Sequence, residues 1–257
     1  MFWIVLFVAS IIYFVIRFTY NYLNIKYVFI SLDGNIGSGK STLLKQIQKK
    51  ISRIIILDEP LEMWKNIKDS DGNNILGKFY NDMSRWSYTF QNMAFITRII
   101  MLINGINKIK TTHNFKNFIF RIFGVPFIFV SERSVLTDRY VFAQMLKDDN
   151  KLSEMEFDLY KKWFDILIKP YAMKNVIYLR TTPTKSYERL QKRGRDEEKN
   201  IQFDYINNLH KYHEEWLDEK SKLNILQLDG DTDFDRDPDI LENMMDEINL
   251  FIDNMKF

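Results

Sequence analysis

Between Ser31 and Leu44 the chain reads SLDGNIGSGKSTLL, and no other stretch limits its fold so strongly. Gly34, Gly39, Lys40 and Ser41 fit the pattern G-x-x-x-x-G-K-[ST]. An apolar run, KYVFIS from Lys26, precedes the loop, and a helical pattern over Thr42–Ile51 follows it. Glycines let backbone N–H groups wrap an anion, and the positive end of the following helix points at it. Within the loop Gly34, Asn35, Ile36, Gly37, Ser38, Gly39, Lys40, Ser41 and Thr42 are the candidate phosphate contacts. Lys40 is expected to reach the β- and γ-phosphates and Ser41 to ligate Mg²⁺. The loop predicts a bound nucleoside triphosphate, with ATP as the expected one.

Four further runs resemble the first: RIIIL from Arg53, PFIFV from Pro126, NVIYL from Asn175 and NILQL from Asn224. Apolar runs without alternation belong to strands covered on both faces, hence to a parallel sheet. Amphipathic stretches lie between them, around Thr42–Ile51, Trp86–Ile109, Val135–Lys147, Glu154–Ile168, Tyr205–Lys220 and Ile240–Phe251. This alternation predicts a doubly wound α/β fold. Ligands of such folds sit beyond the carboxyl ends of the strands. There the chain reads DEP, SER, RTTP and DGD after strands two to five, so charge collects along one sheet edge.

At 257 residues the chain has room for one large α/β domain or two small ones. A net charge of +2 is too small to argue for nucleic acid as a partner. The absence of cysteine excludes disulfides and thiolate metal sites.

Whether the phosphate is hydrolysed or handed on turns on the residues at the strand ends. In FVSERSVLTDRY, Glu132 is placed to help hold Mg²⁺, directly or through water, and Arg133 suits a developing phosphoryl charge. In YERLQKRGRDEE, Arg189 and Arg193 fall on one helix face, with Arg195 just beyond. Two readings stay open for these arginines: a solvated basic helix, or a lid over the triphosphate. Transfer to a hydroxyl needs in-line positioning, charge neutralisation and a proton acceptor. Glu59 in LDEPLEMW, at a strand end and followed by Pro60, is the candidate acceptor, and a solvated turn carboxylate is the alternative.

From Tyr27 onward the chain resembles the deoxyribonucleoside kinases of the deoxycytidine/deoxyguanosine kinase type. The motifs that carry the resemblance are GNIGSGKST, EPLEMW, FYNDMSRWSYTFQ, SERSVLTDRYVFA, RGRDEE and LHKYHEEWL, in that order. The resemblance implies a P-loop kinase fold with a five-stranded parallel sheet flanked by helices, a helical homodimer interface, and 5′-phosphorylation of a deoxynucleoside by ATP and Mg²⁺. Matched residue by residue, it gives Glu59 as the base for the 5′-hydroxyl, Arg133 as the arginine beside it, and Glu132 as the acid near Mg²⁺. Tyr80 and Glu198 match the pair that holds the sugar 3′-hydroxyl, and Gln91 the amide that reads the base edge. Trp64, Phe90 and Phe142 match the walls of the base pocket. Arg98 and Asp138 match a pair that hydrogen-bonds cytosine or a purine. Thymidine-accepting relatives carry apolar residues there, so deoxycytidine, deoxyadenosine and deoxyguanosine are expected over thymidine. A nucleoside monophosphate kinase and a non-catalytic scaffold of this fold are the rival readings.

Two features fall outside the family pattern. MFWIVLFVASIIYFVI, Met1 to Ile16, carries no charge, and Arg17 and Lys26 follow. It is at the short end of what spans a bilayer. Three readings are open: a membrane anchor, an apolar helix packed on the protein, or a cleaved signal. As an anchor it puts the domain in the cytoplasm by the positive-inside rule. The domain expectation is therefore an apolar segment over 1–22 and a kinase domain over 27–257. A linker of roughly ten residues reaches at most ~35 Å, so a membrane would lie beneath the amino ends of the strands, away from the nucleoside pocket. The second feature is the longer stretch between Arg98 and Glu132, with TTHNFKNFIFRIFG inside it. It reads either as an extended helix and loop over the core or as a second membrane-surface contact.

Overall fold

The structure, a computed structural model, describes residues 3, 7, 13, 15–17, 19–20, 24–112, 114–171, 173–218 and 222–255. Five parallel strands form one sheet in the order β2-β3-β1-β4-β5: β1 Tyr27–Asp33, β2 Ile54–Leu57, β3 Phe127–Glu132, β4 Met173–Arg180 and β5 Asn224–Asp229. All five apolar runs are strands; β1 and β3, inside the sheet, are mostly buried on both sides, while the edge strands β2 and β5 are only partly covered. Ile30, Leu32 and Val130 face one helical layer, α1 (Lys40–Lys50) and α11 (Pro238–Asp253). The alternate residues Phe29, Phe127 and Phe129 face the other, α4 (Met83–Thr111) and α8 (Glu154–Leu167), where they meet Phe95, Leu102 and Tyr160. This split follows from the two-residue period of a strand. Complete burial of one such side chain, Phe129, contributes about 2–3 kcal/mol.

The chain leaves β1 toward β2 on one side of the sheet and leaves β3 toward β4 on the other. The crevice between the carboxyl ends of β1 and β3 is therefore the switch point where ligands of α/β sheets bind. Two short helices cover it from the β2 side, α2 (Leu61–Asn66) and α3 (Ile75–Asn81). On the β4 side stand α9 (Pro183–Arg193), a 3₁₀ turn at Asp196–Glu198 and α10 (Phe203–Trp216).

Two expectations change. The stretch expected as one helix over Val135–Lys147 is three pieces: α6 (Val135–Thr137), a π-helical segment Asp138–Ala143, and α7 (Gln144–Asp148). The Gln144 N–H reaches back five residues to the Arg139 carbonyl, which widens the winding. The stretch after Arg98 continues α4 to Thr111 and then forms a separate helix, α5 (Phe115–Phe123).

The uncharged run Met1–Ile16 lies mostly outside the described residues, and the membrane-anchor expectation lies there with it. The described residues among the first 20 are in helical turns and exposed. Among the described residues, no helix is long and apolar enough to cross a membrane.

Candidate active site

The phosphate loop is held by close backbone packing. Gly37 has φ +80°, and a Cβ there would stand 2.1 Å from the Ser186 carbonyl oxygen of α9. Gly34, at φ +151°, would put a Cβ 2.7 Å from the Leu179 carbonyl oxygen of β4. Only glycine fits either position. Lys40 is buried and its Nζ donates to the carbonyls of Gly34 (3.0 Å) and Asn35 (2.5 Å). Burial, with help from Arg133, lowers its pKa to about 7. The Ser41 hydroxyl donates to the Glu132 carboxylate at 2.9 Å.

Two clefts open on this loop. The first, about 620 Å³ with its mouth included, is lined by Glu59, Trp64, Tyr80, Phe90, Gln91, Arg98, Arg133, Asp138, Phe142 and Glu198, every residue expected to touch a nucleoside. Leu61, Leu76, Phe79 and Ala94 complete its apolar wall. The second cleft is polar and lined by Gly39, Ser41, Thr42, Arg189 and the turn Asp233–Arg236. Gly37, Lys40, Glu132, Arg193 and Arg195 line both. The two clefts thus meet at a cluster of cations beside one carboxylate.

Arg98 organises the first cleft. It is buried, and its Nε donates to both Asp138 oxygens (3.2 and 2.9 Å). Nη1 donates to the Glu132 carbonyl (2.9 Å) and Nη2 to Glu59 Oε1 (2.8 Å). Arg133 donates to the same Glu59 oxygen at 3.1 Å. Burial would raise the Glu59 carboxyl, but Arg133 and Arg98 outweigh it and hold the pKa at about 2. Among the described residues Asp138 is ion-paired with Arg98 alone, and burial outweighs the pull of Arg98 and Arg133 and lifts it to about 6. Arg133 itself sits at φ +61°, in the left-handed region that a branched or long side chain rarely adopts. Such backbone strain collects at functional sites. The Arg133 guanidinium also lies 5.1 Å from the Phe142 ring centroid.

The aromatic wall is tightly fixed. Trp64 and Phe90 meet edge to face at 5.3 Å, Phe79 stacks on Phe90 at 4.6 Å, and the Trp64 N–H donates to Thr97 Oγ1 at 3.0 Å. Gln91 is buried, and its Oε1 has no hydrogen-bond partner among the described residues. A buried orphan acceptor lining a cleft is what a donor on a ligand would satisfy. Burial and then Glu198 push the Tyr80 phenol well above its ordinary range. The two Glu198 oxygens are held by Arg193 (2.5 Å) and Arg195 (3.3 Å).

Arg189 stands apart from its two neighbours. Its guanidinium donates to the carbonyls of Ser38 (3.2 Å), Gly230 (2.6 Å) and Thr232 (3.1 Å). It braces the phosphate loop against the turn after β5. Sequence reading also passed over Asp33, buried behind the loop and hydrogen-bonded by Thr137, and Lys185, Phe234 and Arg236 in the second cleft. The acidic residue just before Gly34 was a usable signal for the first of these. The others follow no local pattern.

The family model described as deoxynucleoside kinase matches residues 30–253. Deoxycytidine kinase 2 of Gallus gallus is 36% identical over 248 residues, covering 87% of this chain and 89% of the relative. The probable deoxycytidine kinase of Fowlpox virus (strain NVSL) is 36% identical over 230 residues, covering 86% and 88%. The mitochondrial deoxyguanosine kinase of Xenopus laevis is 32% identical over 248 residues, covering 87% and 89%. The chain belongs to the deoxynucleoside kinase family.

Proposed function

We propose that this kinase transfers the γ-phosphoryl group of ATP to the 5′-hydroxyl of deoxycytidine or a purine deoxynucleoside, in preference to thymidine. The observation that carries the reading is the meeting of the two clefts at Lys40, Glu132, Arg193 and Arg195. A nucleoside in the apolar cleft and a triphosphate on the loop would bring acceptor and donor together there. Glu59 is ionised at neutral pH and accepts the 5′-hydroxyl proton. A carboxylate of pKa about 2 does not strip a free hydroxyl. In a loose transition state the proton leaves late, as the new O–P bond makes the hydroxyl acidic. The bond from the γ-phosphorus to the bridging oxygen breaks, the bond to O5′ forms, and ADP leaves. Arg133, Lys40, Arg193 and Arg195 offset the phosphoryl charge during transfer.

Ser41 and Glu132, two hard oxygen donors in contact, suit a magnesium ion that stays largely bound to phosphate and water. When bound, the ion neutralises charge on the phosphate oxygens.

Arg98 and Asp138 support the choice of base. Together they offer donors and an acceptor to cytosine or a purine, and Gln91 adds its orphan acceptor. A 5-methyl group facing this pair would leave buried polar groups unpaired, which discriminates strongly. An ionised Glu59 also favours a neutral hydroxyl over the anionic acceptor of a monophosphate kinase. Tyr80 and Glu198 are the candidates for the sugar 3′-hydroxyl.

A second feature supports the homodimer reading. Ile96, Ile100 and Ile103 on α4 are exposed, as are Met155, Leu159, Trp163 and Ile166 on α8. Their spacings put each set on one face, and the two helices are joined by Phe95 against Phe164 at 5.8 Å. An apolar face of this extent marks an interface. The run Met1–Ile16 is read as a membrane anchor with the domain on the cytoplasmic side. Steady-state assays with ATP and the four deoxynucleosides test the substrate reading, and a higher kcat/KM for thymidine than for the other three overturns it.

A further inference from the structure

Two consecutive glutamates of the Asp196–Glu198 turn bond to different parts of the molecule. Glu198 is buried and lines the nucleoside cleft, where Arg193 and Arg195 hold its oxygens. Glu197 is not part of that lining. It reaches instead to the two short helices that cover the cleft from the β2 side. Its Oε1 accepts from the Asn74 side-chain amide at 3.1 Å and lies 3.6 Å from Lys65 Nζ on α2. Burial pushes the Glu197 carboxyl up, but its own backbone N–H, Asn74 and Lys65 outweigh it and leave the pKa below the ordinary carboxylate value.

Asn74 serves α3 and the turn at once. Its Oδ1 accepts from the Gly77 N–H at 2.8 Å and caps α3. That leaves the amide nitrogen as the donor to Glu197. Gly77, in the first turn of α3, faces the stem of the same glutamate: a Cβ there would lie 3.9 Å from Glu197 Cγ. The far end of α3 is tied to the same segment, since the Asn200 amide donates to Asn81 Oδ1 at 2.7 Å. Gly194, at φ +62°, ends α9, and Ile201 anchors the chain on the core. Between these points, among the described residues, the side-chain bonds of the segment to other elements come from Glu197, Glu198 and Asn200. Two of those three go to α3 and its cap. Tyr80 lies on α3 between the two ties, and it lines the cleft with Glu198.

We propose that Glu197 is a positioning residue for the nucleoside: by clasping Asn74 and Lys65 it sets the spacing between the Tyr80 phenol and the Glu198 carboxylate, so that both bond the sugar 3′-hydroxyl. The clasp rests on the assignment of Tyr80 and Glu198 to that hydroxyl. Those two groups stand on separate elements, and a clamp made of two elements needs a tie between them. A misplacement of about 1 Å in such a clamp can cost on the order of 100-fold in rate. Glu197 therefore acts on the deoxynucleoside through its neighbours, and most strongly on the part of the affinity that the 3′-hydroxyl supplies.

Two variants of the full chain test it. Glu197→Ala removes the clasp, and Asn74→Asp removes its donor while keeping an oxygen to cap α3. Each is assayed with ATP and the best of the four deoxynucleosides, and again with the 2′,3′-dideoxy form of that nucleoside. In both variants KM for the deoxynucleoside should rise about tenfold with a smaller change in kcat, and KM for ATP should stay within about twofold. The dideoxy compound should lose little, so the preference for a 3′-hydroxyl shrinks by about tenfold. The double variant should be no worse than the weaker single one, because the two changes break one interaction. Equal losses on both nucleosides, which general loosening of the fold would give, overturn the clasp. So do an unchanged preference in either variant and losses that add in the double variant. A wild-type enzyme indifferent to the 3′-hydroxyl overturns the Tyr80–Glu198 assignment and the clasp with it.

Discussion

Removing the Arg98 guanidinium tests the architecture of the cleft most directly. Arg98→Met strands Asp138, whose side chain is 4% exposed and has Arg98 as its ion-pair partner. Breaking a buried pair on one side costs about 3–5 kcal/mol. Glu59 is affected less, because Arg133 still holds it. At 2–4 °C per kcal/mol for a chain of this size, the melting temperature should fall by about 6–20 °C. The double variant Arg98→Met with Asp138→Ala removes both charges, and most of the loss should return. The pH dependence has a definite sign. In Arg98→Met the folded pKa of Asp138 lies further above its unfolded value, so the folded state binds more protons and stability falls as pH rises through that interval. The deficit is smaller at pH 5 than at pH 8. The same double variant should raise the thymidine-to-deoxycytidine ratio of kcat/KM by on the order of 100-fold. Thermal and urea denaturation at both pH values, with nucleoside kinetics, check each part. A double variant less stable than Arg98→Met, or an unchanged nucleoside ratio, refutes the reasoning.

The other predictions concern the proton, the phosphate and the dimer. Glu59→Gln should lower kcat by about 10²–10⁴ while ATP binding persists, and an unchanged kcat removes Glu59 as the acceptor. Lys40 has its pKa lowered to about 7 by burial, and a bound triphosphate restores the charged form. ATP binding should therefore take up a proton above pH 7 and none well below it, read by titration calorimetry in buffers of different ionisation enthalpy; pH-independent proton uptake contradicts this. The combination Ile100→Glu with Trp163→Glu should give a monomer by light scattering, and an unchanged mass discards the α4–α8 face as the interface.

The five strands were legible because each is a short apolar run with a charged end, most continuous in β1 and β3, which are buried on both faces. The candidate catalytic residues Glu59, Glu132 and Arg133 stood out for a related reason, since they sit where those runs stop. What stayed hidden depends on tertiary contacts. Short helices α2 and α3 owe their stability to Trp64, Leu76 and Phe79 packed on Phe90 and its neighbours. Helix α5 packs Phe120 on Phe127 and also buries Asn117 and Arg121 against the end of α4, polar burial that its apolar pattern does not announce. Arg189 reads as one of three lid arginines, yet its side chain is held by carbonyls from two separate segments, the phosphate loop and the turn after β5.

The π-helical stretch gives the nucleoside cleft a property that residue identities do not record. Asp138 opens this stretch and Phe142 lies within it, and both line the cleft. A π turn is an α turn with one residue added, so deleting one residue there would restore ordinary winding and rotate the downstream chain by about 100°. Phe142 and Asp138 could not then face the cleft together. On the proposed reading, choice of nucleoside is in this sense a matter of phase, and a graft of the Arg98–Asp138 pair onto an evenly wound helix would copy the letters while losing the alignment they depend on.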